Sequence, residues 1–258
     1  MNDDSLLAAC RTYAPPADAF EGRVILVTGA TAGLGRAVAE GLVRHGATVI
    51  LHGRNERALE SLYQELLPLG PEPSVAVVDL ERAQGPQYQS LTSEIEARYG
   101  RLDGILHNAA ILGDRSPIEH YDIGVWQRVL LVNLTAPFIL TRCLLPLLRR
   151  SVDASVLFTT SSVGQRGRAY WGAYAVAKSG LEGFAEVLAD ELENTPIRVN
   201  LINPGATRTR MRARAYPAEN PDTLPTAASH VPAFLYLLGP ASRDVRNQRM
   251  ELRAPKLG

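Results

Sequence analysis

The sequence predicts an α/β protein with one domain, a Rossmann-type doubly wound parallel sheet flanked by helices. Short apolar runs that suit buried strands alternate with amphipathic helical patterns along most of the chain. Strict alternation of this kind implies right-handed crossovers between parallel strands. A glycine-rich turn directly follows the first run, and a length of 258 residues suits one domain of this class.

Six apolar runs are the predicted strands. Their continuous apolar character is typical of strands that are covered on both faces. They span residues 23–28, 48–52, 74–79, 102–107, 155–160 and 197–202.

Amphipathic patterns between these runs predict the helices. Residues 34–42 carry apolar side chains at helical spacing, and Gly46 can end that helix. Residues 59–66 repeat the pattern after Asn55, which is a predicted N-cap. Residues 181–188 repeat it a third time.

Two segments stand apart from the alternation. Residues 1–21, which contain Pro15 and Pro16, are predicted to be an extended N-terminal extension, and residues 22–258 are predicted to form the domain. Residues 208–230 contain three prolines and break the alternation, so we expect them to form a substrate lid.

The composition argues against several classes of function. Lys plus Arg and Asp plus Glu both number 27, so the net charge is zero and no global basic field would attract a nucleic acid. The first residues are acidic where a secretory signal is basic, and no stretch approaches ~18 unbroken apolar residues. We therefore expect a cytoplasmic protein with no membrane partner. Cys10 and Cys143 lack a CxxC or Cys/His cluster, so neither a metal site nor a disulfide is expected.

The turn TGATAGLG places Gly29, Gly33 and Gly35 where the first strand meets the next helix. Glycines let the backbone approach a pyrophosphate closely, and the amides at a helix N-terminus stabilise its charge. The spacing G-x-x-x-G-x-G differs from the commoner G-x-G-x-x-G, and no Gly-Lys-Ser/Thr follows as in a P-loop. We expect a dinucleotide site that also includes Thr31 and Leu34.

The end of the second strand, LHGRN, bears on the choice between NAD and NADP. An NAD-preferring site usually has an acid here that binds the ribose 2′-hydroxyl, whereas this chain has Gly53 and Arg54. No carboxylate at this point would repel a 2′-phosphate, and a guanidinium suits one, so NADP (NADPH) is favoured over NAD. An ordinary exposed arginine is the alternative interpretation of Arg54.

Two further strand ends contribute predicted cofactor residues. Asp79 closes the third predicted strand, where it could accept a hydrogen bond from the adenine amino group, with Leu80 beside it. Asn108 and Ala109 follow the fourth strand, where backbone should pass the cofactor. Asp79 and Asn108 could each instead be a simple strand-end cap.

Tyr174 and Lys178 form a Tyr-x-x-x-Lys pair, a spacing that puts both side chains on one face of a helix. A tyrosine hydroxyl ionises near pH ~10, and a neighbouring cation favours the phenolate and lowers the pKa. The pair could therefore carry out proton transfer. Taken alone, the motif is short enough to be two unrelated surface residues.

The motifs of this chain resemble those of the short-chain dehydrogenase/reductase family and occur in the same order. The resemblance extends from about Arg23 to Gly239. TGATAGLG resembles the family's glycine signature, and HNAA at 107–110 resembles its Asn-Asn-Ala-Gly turn, with His107 and Ala110 as departures. Further matches are Asn133 in VNL, Ser161 thirteen positions before the tyrosine, the pair Tyr174 and Lys178, and the nicotinamide segment Pro204, Gly205, Thr207 and Thr209.

Within this family, TSSVGQRGRAYWGAYAVAKSG, INPGATRTRMRARAYP and LDGILHNAAILGD resemble the YciK-like oxidoreductases. The segment RNQRMELRAPKLG departs from better-known members because it lacks the usual Gly-Gly after the last strand.

The resemblance implies a mechanism. Tyr174 would donate its proton to a substrate carbonyl as hydride arrives from the nicotinamide, or take one up in the oxidative direction. Lys178 would lower the Tyr174 pKa and bind the nicotinamide ribose, and Ser161 would hold the substrate oxygen. Asn133 would orient a water between Lys178 and solvent. As alternatives, Ser161 could cap a strand and Asn133 could bond to helix backbone.

The leading hypothesis is an NADP-dependent oxidoreductase that acts on a carbonyl/alcohol pair. An NADP-binding sensor or scaffold with little turnover is the alternative, and a nucleotide-sugar epimerase is disfavoured by the glycine spacing and the short C-terminal part. The resemblance also implies a homodimer or homotetramer, in which the helices that carry Asn133 and Tyr174 pair across a two-fold axis.

The predicted lid and its surroundings bear on the substrate. Four arginines from Arg208 to Arg214 could meet an anionic substrate or an acidic carrier protein, or could form a solvated basic face. Nearby aromatic and apolar side chains could line a hydrophobic mouth or could pack in the core or between subunits: Tyr170, Trp171, Met211 and Tyr216.

Overall fold

In the computed structural model, which describes residues 3–252, seven parallel strands form one sheet. They are β1 (Val24–Thr28), β2 (Thr48–Gly53), β3 (Ser74–Val77), β4 (Gly104–His107), β5 (Ala154–Thr159), β6 (Ile197–Asn203) and β7 (Arg249–Glu251). Their order is β3-β2-β1-β4-β5-β6-β7, so the chain winds outward in one direction and then in the other. The predicted doubly wound fold is confirmed. Residues 1–2 of the predicted extension and 253–258 of the predicted domain lie outside the described residues.

The strand predictions succeed for six strands and miss the seventh. β3 ends at Val77, so Asp79 lies in the loop beyond it rather than at its end. β7 has only three residues and pairs with β6 through Leu201 and Arg249, Ile202 and Met250, and Asn203 and Glu251. Since only Met250 of these three β7 residues is buried, the segment has no apolar run that a sequence pattern could detect.

Helices cover both faces of the sheet. They are α1 (Asp3–Thr12), α2 (Gly33–Arg44), α3 (Glu56–Leu66), α4 (Gly85–Tyr99), α5 (Ile123–Leu130), α6 (Ala136–Leu148), α7 (Ser162–Gln165), α8 (Gly172–Glu191), α9 (Arg210–Ala215) and α10 (Val231–Leu238). One apolar core includes side chains of α1, α2, α3 and α10, and the other includes side chains of α4, α6 and α8. The predicted N-cap is confirmed, because the Asn55 side chain accepts a hydrogen bond from the Ala58 amide.

The prediction that residues 1–21 are extended is wrong for residues 3–12, which form α1. Leu6 and Cys10, one helical turn apart, are buried against the largely apolar α10. Burial of this face stabilises a helix that its intrinsic propensity alone would not. Arg11 of the same helix donates a hydrogen bond to the Leu252 carbonyl.

α5 and α6 are joined by a π-helical turn, Leu131–Thr135, into one continuous helix, Ile123–Leu148. By length and composition alone, its 26 residues could cross a membrane. This helix nevertheless belongs to the core, where Val132, Leu140 and Leu144 pack with the residues of the sheet. Core helices of soluble proteins pass the same test of length and composition.

Candidate active site

A cleft of about 860 Å³ opens at the carboxyl ends of the strands, where ligands bind in doubly wound sheets. Every predicted site residue lines it except Gly35 and Asn133, which lie directly behind its walls. The loops after β1, β2, β3, β4, β5 and β6 line it, as do residues of the segment from Arg208 to Ala215.

The glycine turn has the shape of a cradle for an anion. Gly29 and Gly33 have φ angles of 67° and 54°, which favour glycine. A Cβ on Gly29 would lie 3.0 Å from Ala109 Cα, and a Cβ on Gly35 would lie 2.3 Å from the Gly29 carbonyl oxygen. Gly35 therefore permits close packing of the helix on the turn. No side chain caps the N-terminus of α2, so its first amides remain available to a phosphate.

The position of Arg54 corrects one element of the sequence interpretation. Arg54 lines the cleft, but its guanidinium lies 3.7 Å from the Glu81 carboxylate, which is also 3.6 Å from Arg128. A carboxylate is thus present beside Arg54, contrary to the prediction. Sequence analysis missed Glu81 because it follows β3, and only the pairing of β2 with β3 brings it close.

Asp79 and Asn108 both make backbone contacts of the kind expected from strand-end caps. Asp79 accepts a hydrogen bond from the Glu81 amide at 3.1 Å and lies 3.8 Å from Arg82. Asn108 donates from its side chain to the Thr28 carbonyl at 3.3 Å. Thr28, which sequence analysis missed, accepts from the Asn108 and Ala109 amides at 2.9 and 3.0 Å, so its hydroxyl fixes the loop after β4.

Lys178 is 2% exposed and its ammonium donates a hydrogen bond to the Thr159 carbonyl at 2.7 Å. Burial lowers the pKa of Lys178 to about 8, although Glu182, one helical turn further along α8, raises it in part. A lysine with this pKa exchanges protons readily near neutral pH.

Tyr174 is 8% exposed and lies beside Ser161. Burial raises the pKa of Tyr174 to about 12, and the hydrogen bond with Ser161 lowers it only in part. The net shift of the Tyr174 pKa is therefore upward, opposite to the direction expected from Lys178 alone. The Lys178 nitrogen lies 5.8 Å from the centre of the Tyr174 ring and is directed to Thr159 instead. The Ser161 hydroxyl also accepts from the Val163 amide at 3.5 Å, as an N-cap of α7.

Asn133 is buried in the π-helical turn and does not reach the cleft. Its amide accepts a hydrogen bond from the Ile111 nitrogen and donates one to the Ile111 carbonyl, both at 2.8 Å. Its side chain thus bonds to backbone, though to the loop after β4 rather than to the helix. Ile111 lines the cleft, so Asn133 shapes the cleft through it.

Two buried neutral histidines, His52 and His107, lie on β2 and β4, the two strands that flank β1. Burial lowers the pKa of His52 to about 4, and burial together with His52 and Lys178 lowers that of His107 to about 3. His107 bonds to Thr141 at 2.9 Å, whereas neither ring nitrogen of His52 has a hydrogen-bond partner within residues 3–252. Over the same residues, no three His, Cys, Asp or Glu side chains are arranged to hold a metal ion.

The nicotinamide segment after β6 and the predicted lid form one ordered unit. Gly205 has a φ of 74°, Thr207 bonds to His230 at 3.1 Å, and Thr209 caps α9 by accepting from the Arg212 amide. With Pro204, these residues line the cleft.

Two of the four lid arginines are neutralised by acids of the same segment. Arg208 pairs with Asp222 at 3.2 Å and Arg212 with Glu219 at 2.6 Å. Arg210 lines the cleft and forms no ion pair with any described residue.

An arginine that sequence analysis did not single out, Arg115, links aromatic residues beside the cleft. The Arg115 guanidinium lies 4.8 Å from the Trp171 ring and 4.9 Å from the Tyr216 ring, and it donates to the Ala215 carbonyl. Trp171 in turn lies 5.6 Å from Tyr174. Arg115 thus joins the loop after β4, the start of α8 and α9 around the tyrosine.

Known proteins resemble this chain over most of its length. The sequence profile of the short chain dehydrogenase family matches residues 23–220. The uncharacterised oxidoreductase YciK of Escherichia coli K12 is 48% identical over 232 residues, which are 90% of this chain and 92% of that protein. The 3-oxoacyl-(acyl-carrier-protein) reductase FabG of Salmonella typhimurium LT2 is 33% identical over 74% of this chain and 76% of that protein. A crystal structure of a short chain dehydrogenase from Escherichia coli CFT073 complexed with NADPH is 46% identical, with a TM-score of 0.90 over 93% of this chain and 100% of that chain.

Proposed function

Because the chain belongs to the short-chain dehydrogenase/reductase family, a family of oxidoreductases that act on CH–OH and C=O groups, we propose that it is NADP-dependent and transfers hydride between the nicotinamide and a carbonyl/alcohol substrate. One observation carries the proposal. Ser161, Tyr174 and Lys178 line the same cleft as the glycine turn, so a proton donor stands at the far end of a site shaped for a dinucleotide.

The cleft suits NADP along its length. The uncapped N-terminus of α2 and the close approach at Gly29 fit a pyrophosphate, and Arg54, which lines the cleft, would hold a 2′-phosphate. On binding, the 2′-phosphate would replace Glu81 as the ion-pair partner of Arg54. The NADPH complex of the 46% identical protein supports the same choice of cofactor over NAD.

Bound NADPH would supply the hydride, and the chain would supply the proton. With its pKa raised to about 12, the Tyr174 phenol is fully protonated at neutral pH and can donate to a substrate oxygen. The Ser161 hydroxyl would donate a hydrogen bond to the same oxygen and stabilise its developing charge. Lys178, with a pKa of about 8, would return a proton to the phenolate and contact the nicotinamide ribose. Asn133 would act through Ile111 as a positioning residue.

The substrate end of the cleft favours an apolar carbonyl compound. Leu112, Trp171, Met211 and Ala215 line it beside Tyr174. We propose that residues 208–230 act as a lid here, since Arg115 ties that segment to the mouth. Arg210 could hold an anionic group at the edge of such a substrate.

A test separates this proposal from an NADP-binding sensor. The protein is titrated with NADPH and NADH by fluorescence, and a panel of ketones, quinones and 3-oxoacyl thioesters is then screened for oxidation of NADPH. We expect tighter binding of NADPH than of NADH, and turnover with part of the panel. Tyr174→Phe should keep NADPH binding and lose turnover, whereas Tyr170→Phe, a change at an exposed neighbour, should keep both. Binding without any turnover would contradict the enzyme and favour the sensor.

We further propose a homodimer or homotetramer in the cytoplasm. α6 and α8 expose Phe138, Val176 and Val187, which are 46%, 46% and 59% exposed and could meet a second copy of the chain. Both cysteines are free thiols, as is common for proteins of a reducing compartment. Light scattering of the native protein and of Val187→Glu checks the assembly, and an unchanged monomeric mass in both would contradict it.

A further inference from the structure

The short strand β7 brings an arginine to the back of the catalytic residues. Arg249 Nε lies 3.2 Å from a carboxylate oxygen of Glu182, and the two side chains are only 19% and 11% exposed. Glu182 lies on α8, one helical turn beyond Lys178. Arg249 also pairs with Glu251, whose other oxygen accepts from Asn203 at 2.7 Å. A charged network therefore runs from the sheet edge to α8.

This network holds three consecutive residues at the end of β5, each through a different charged side chain. The Thr159 carbonyl accepts from Lys178 at 2.7 Å. The Thr160 hydroxyl donates to Glu182, and the Ser161 carbonyl accepts from Arg249 at 3.5 Å, the long limit of a hydrogen bond. The turn that directs the Ser161 hydroxyl into the cleft is thus fixed from behind.

The same network balances the charge around Lys178. The titratable groups that face this ammonium are Tyr174 and Glu182 on its own helix and His107 on β4, with Arg249 of β7 behind Glu182. His107 is neutral, so Glu182 is the negative charge that favours the ammonium. Arg249 partly offsets Glu182.

We propose that Glu182 and Arg249 form a positioning pair for the catalytic site, which fixes Ser161 and sets the charge balance beside Lys178. Neither residue lines the cleft, so the pair acts only through Ser161 and Lys178. The kinetic consequences of this proposal rest on the proposed function, but its electrostatic part can be measured without any substrate.

Lysine is rare in this chain, which makes the measurement direct. The sequence has two lysines, Lys178 and Lys256. Carbon-13 at the lysine Cε therefore gives two NMR signals, and Lys256→Arg identifies the signal of Lys178. Its pH titration is followed in the full-length native protein and in the variants.

The two members of the pair should shift the Lys178 midpoint in opposite directions. Glu182→Gln removes a negative charge and should lower the midpoint by about half a pH unit or more, whereas Arg249→Gln removes a positive charge and should raise it. Arg249→Lys keeps the charge and should restore the native midpoint of Lys178; the third lysine signal that it adds is identified by its absence from the spectra of the other variants. Arg246→Gln is the matched control, because Arg246 precedes β7 but bonds to the Ile197 carbonyl at the opposite end of the sheet. The Lys178 midpoint in Arg246→Gln should equal that of the native protein.

Thermal unfolding and near-ultraviolet circular dichroism accompany each titration to show that the variants are folded. Equal midpoints in Glu182→Gln, Arg249→Gln and the native protein would overturn the proposal and leave the pair a structural ion pair. Where a substrate is turned over, the pH profile of kcat should shift with the midpoint of each variant. Absence of turnover in the native protein would overturn the proposed function alone, because the opposite shifts are measured independently of it.

Discussion

Both ends of the sheet bury a charged side chain, but the two side chains differ in how many hydrogen bonds and ion pairs they form. At the amino end, Arg198 has no exposed surface, and its guanidinium donates to Asp153 at 3.0 Å and to three carbonyls. At the carboxyl end, Lys178 is almost as deeply buried, and its one hydrogen bond within residues 3–252 goes to the Thr159 carbonyl.

The difference in hydrogen bonding changes the proton affinities. Burial acts to raise the pKa of Asp153, but Arg198 and Arg23 outweigh it and hold the pKa below its usual value. That carboxylate stays charged and stabilises the fold. The pKa of Lys178 instead falls to about 8, which makes its proton available. A fully paired buried charge serves stability, and an incompletely paired one serves proton transfer.

Substitution of the buried cation at each end, Arg198 or Lys178, is the most direct test of this difference. Arg198→Met should lower the free energy of unfolding by about 3–5 kcal/mol, because it removes one of the two arginines that pair with the buried Asp153 and one donor from each of three buried carbonyls. Urea unfolding measures this loss. A change below about 1 kcal/mol would show that the amino-end network does not depend on its arginine.

The same substitution at the carboxyl end should affect turnover rather than stability. Lys178→Met should reduce kcat by about 10²-fold or more, because the Tyr174 phenolate loses its proton source. The free energy of unfolding should change by less than about 1 kcal/mol, since Glu182 keeps Thr160 and Arg249 as partners. Steady-state kinetics and urea unfolding of the same preparation test both parts, and a strongly destabilised Lys178→Met would contradict the comparison.

The contributions of Lys178 and Asp153 to the free energy of unfolding should depend on pH in different ranges. The folded pKa of Lys178 is about 8 against 10.5 in the unfolded chain, so between these values the unfolded chain binds more protons. The contribution of this group to the free energy of unfolding therefore rises by about 1–3 kcal/mol across that window. Asp153, with a lowered pKa, contributes stability that is lost only as the pH falls through its folded pKa.

The measurement is the difference in unfolding free energy between the native protein and each variant as a function of pH. Subtraction of Lys178→Met should isolate an alkaline change, and subtraction of Asp153→Asn an acidic one. An alkaline difference for the Asp153 variant, or none for the Lys178 variant, would refute this assignment.

The partly exposed ion pair of Arg54 and Glu81, which both line the cleft, should show the smallest effect. Glu81→Gln frees Arg54 for a 2′-phosphate and should tighten NADPH binding by about two- to five-fold, with little change for NADH. Glu65→Gln, which breaks the exposed pair with Arg36, is the control. Equal gains for both nucleotides would show that Glu81 acts on a part of the cofactor other than the 2′-phosphate.

Sequence patterns predicted the features that depend on residues close together in the chain. The glycine turn, six strands and the helix with Tyr174 and Lys178 follow from periodicity and motif spacing, and the chain's family was identifiable from the order of these motifs. α1 was missed because its apolar stripe is short and needs α10 as a partner.

The missing parts of the site depend on contacts between distant segments. Glu81 reaches Arg54 only through strand pairing, and Arg249 reaches Glu182 from a strand too short and too polar to have a pattern. The direction of the Tyr174 pKa shift also depends on burial, which opposes the effect of a neighbouring cation. The spacing of residues in the sequence does not reveal how deeply a side chain is buried.

The contact between Arg11 and the Leu252 carbonyl gives the chain the topology of a nearly closed ring. The first helix and the last strand meet at one place, although 241 positions separate them. A short linker could therefore join α1 to the end of β7, and the chain could be opened instead at the loop of residues 81–84, in which Arg82 and Gln84 are exposed. A circular permutant of this kind would retain the order of strands in space while reversing which of them is made first.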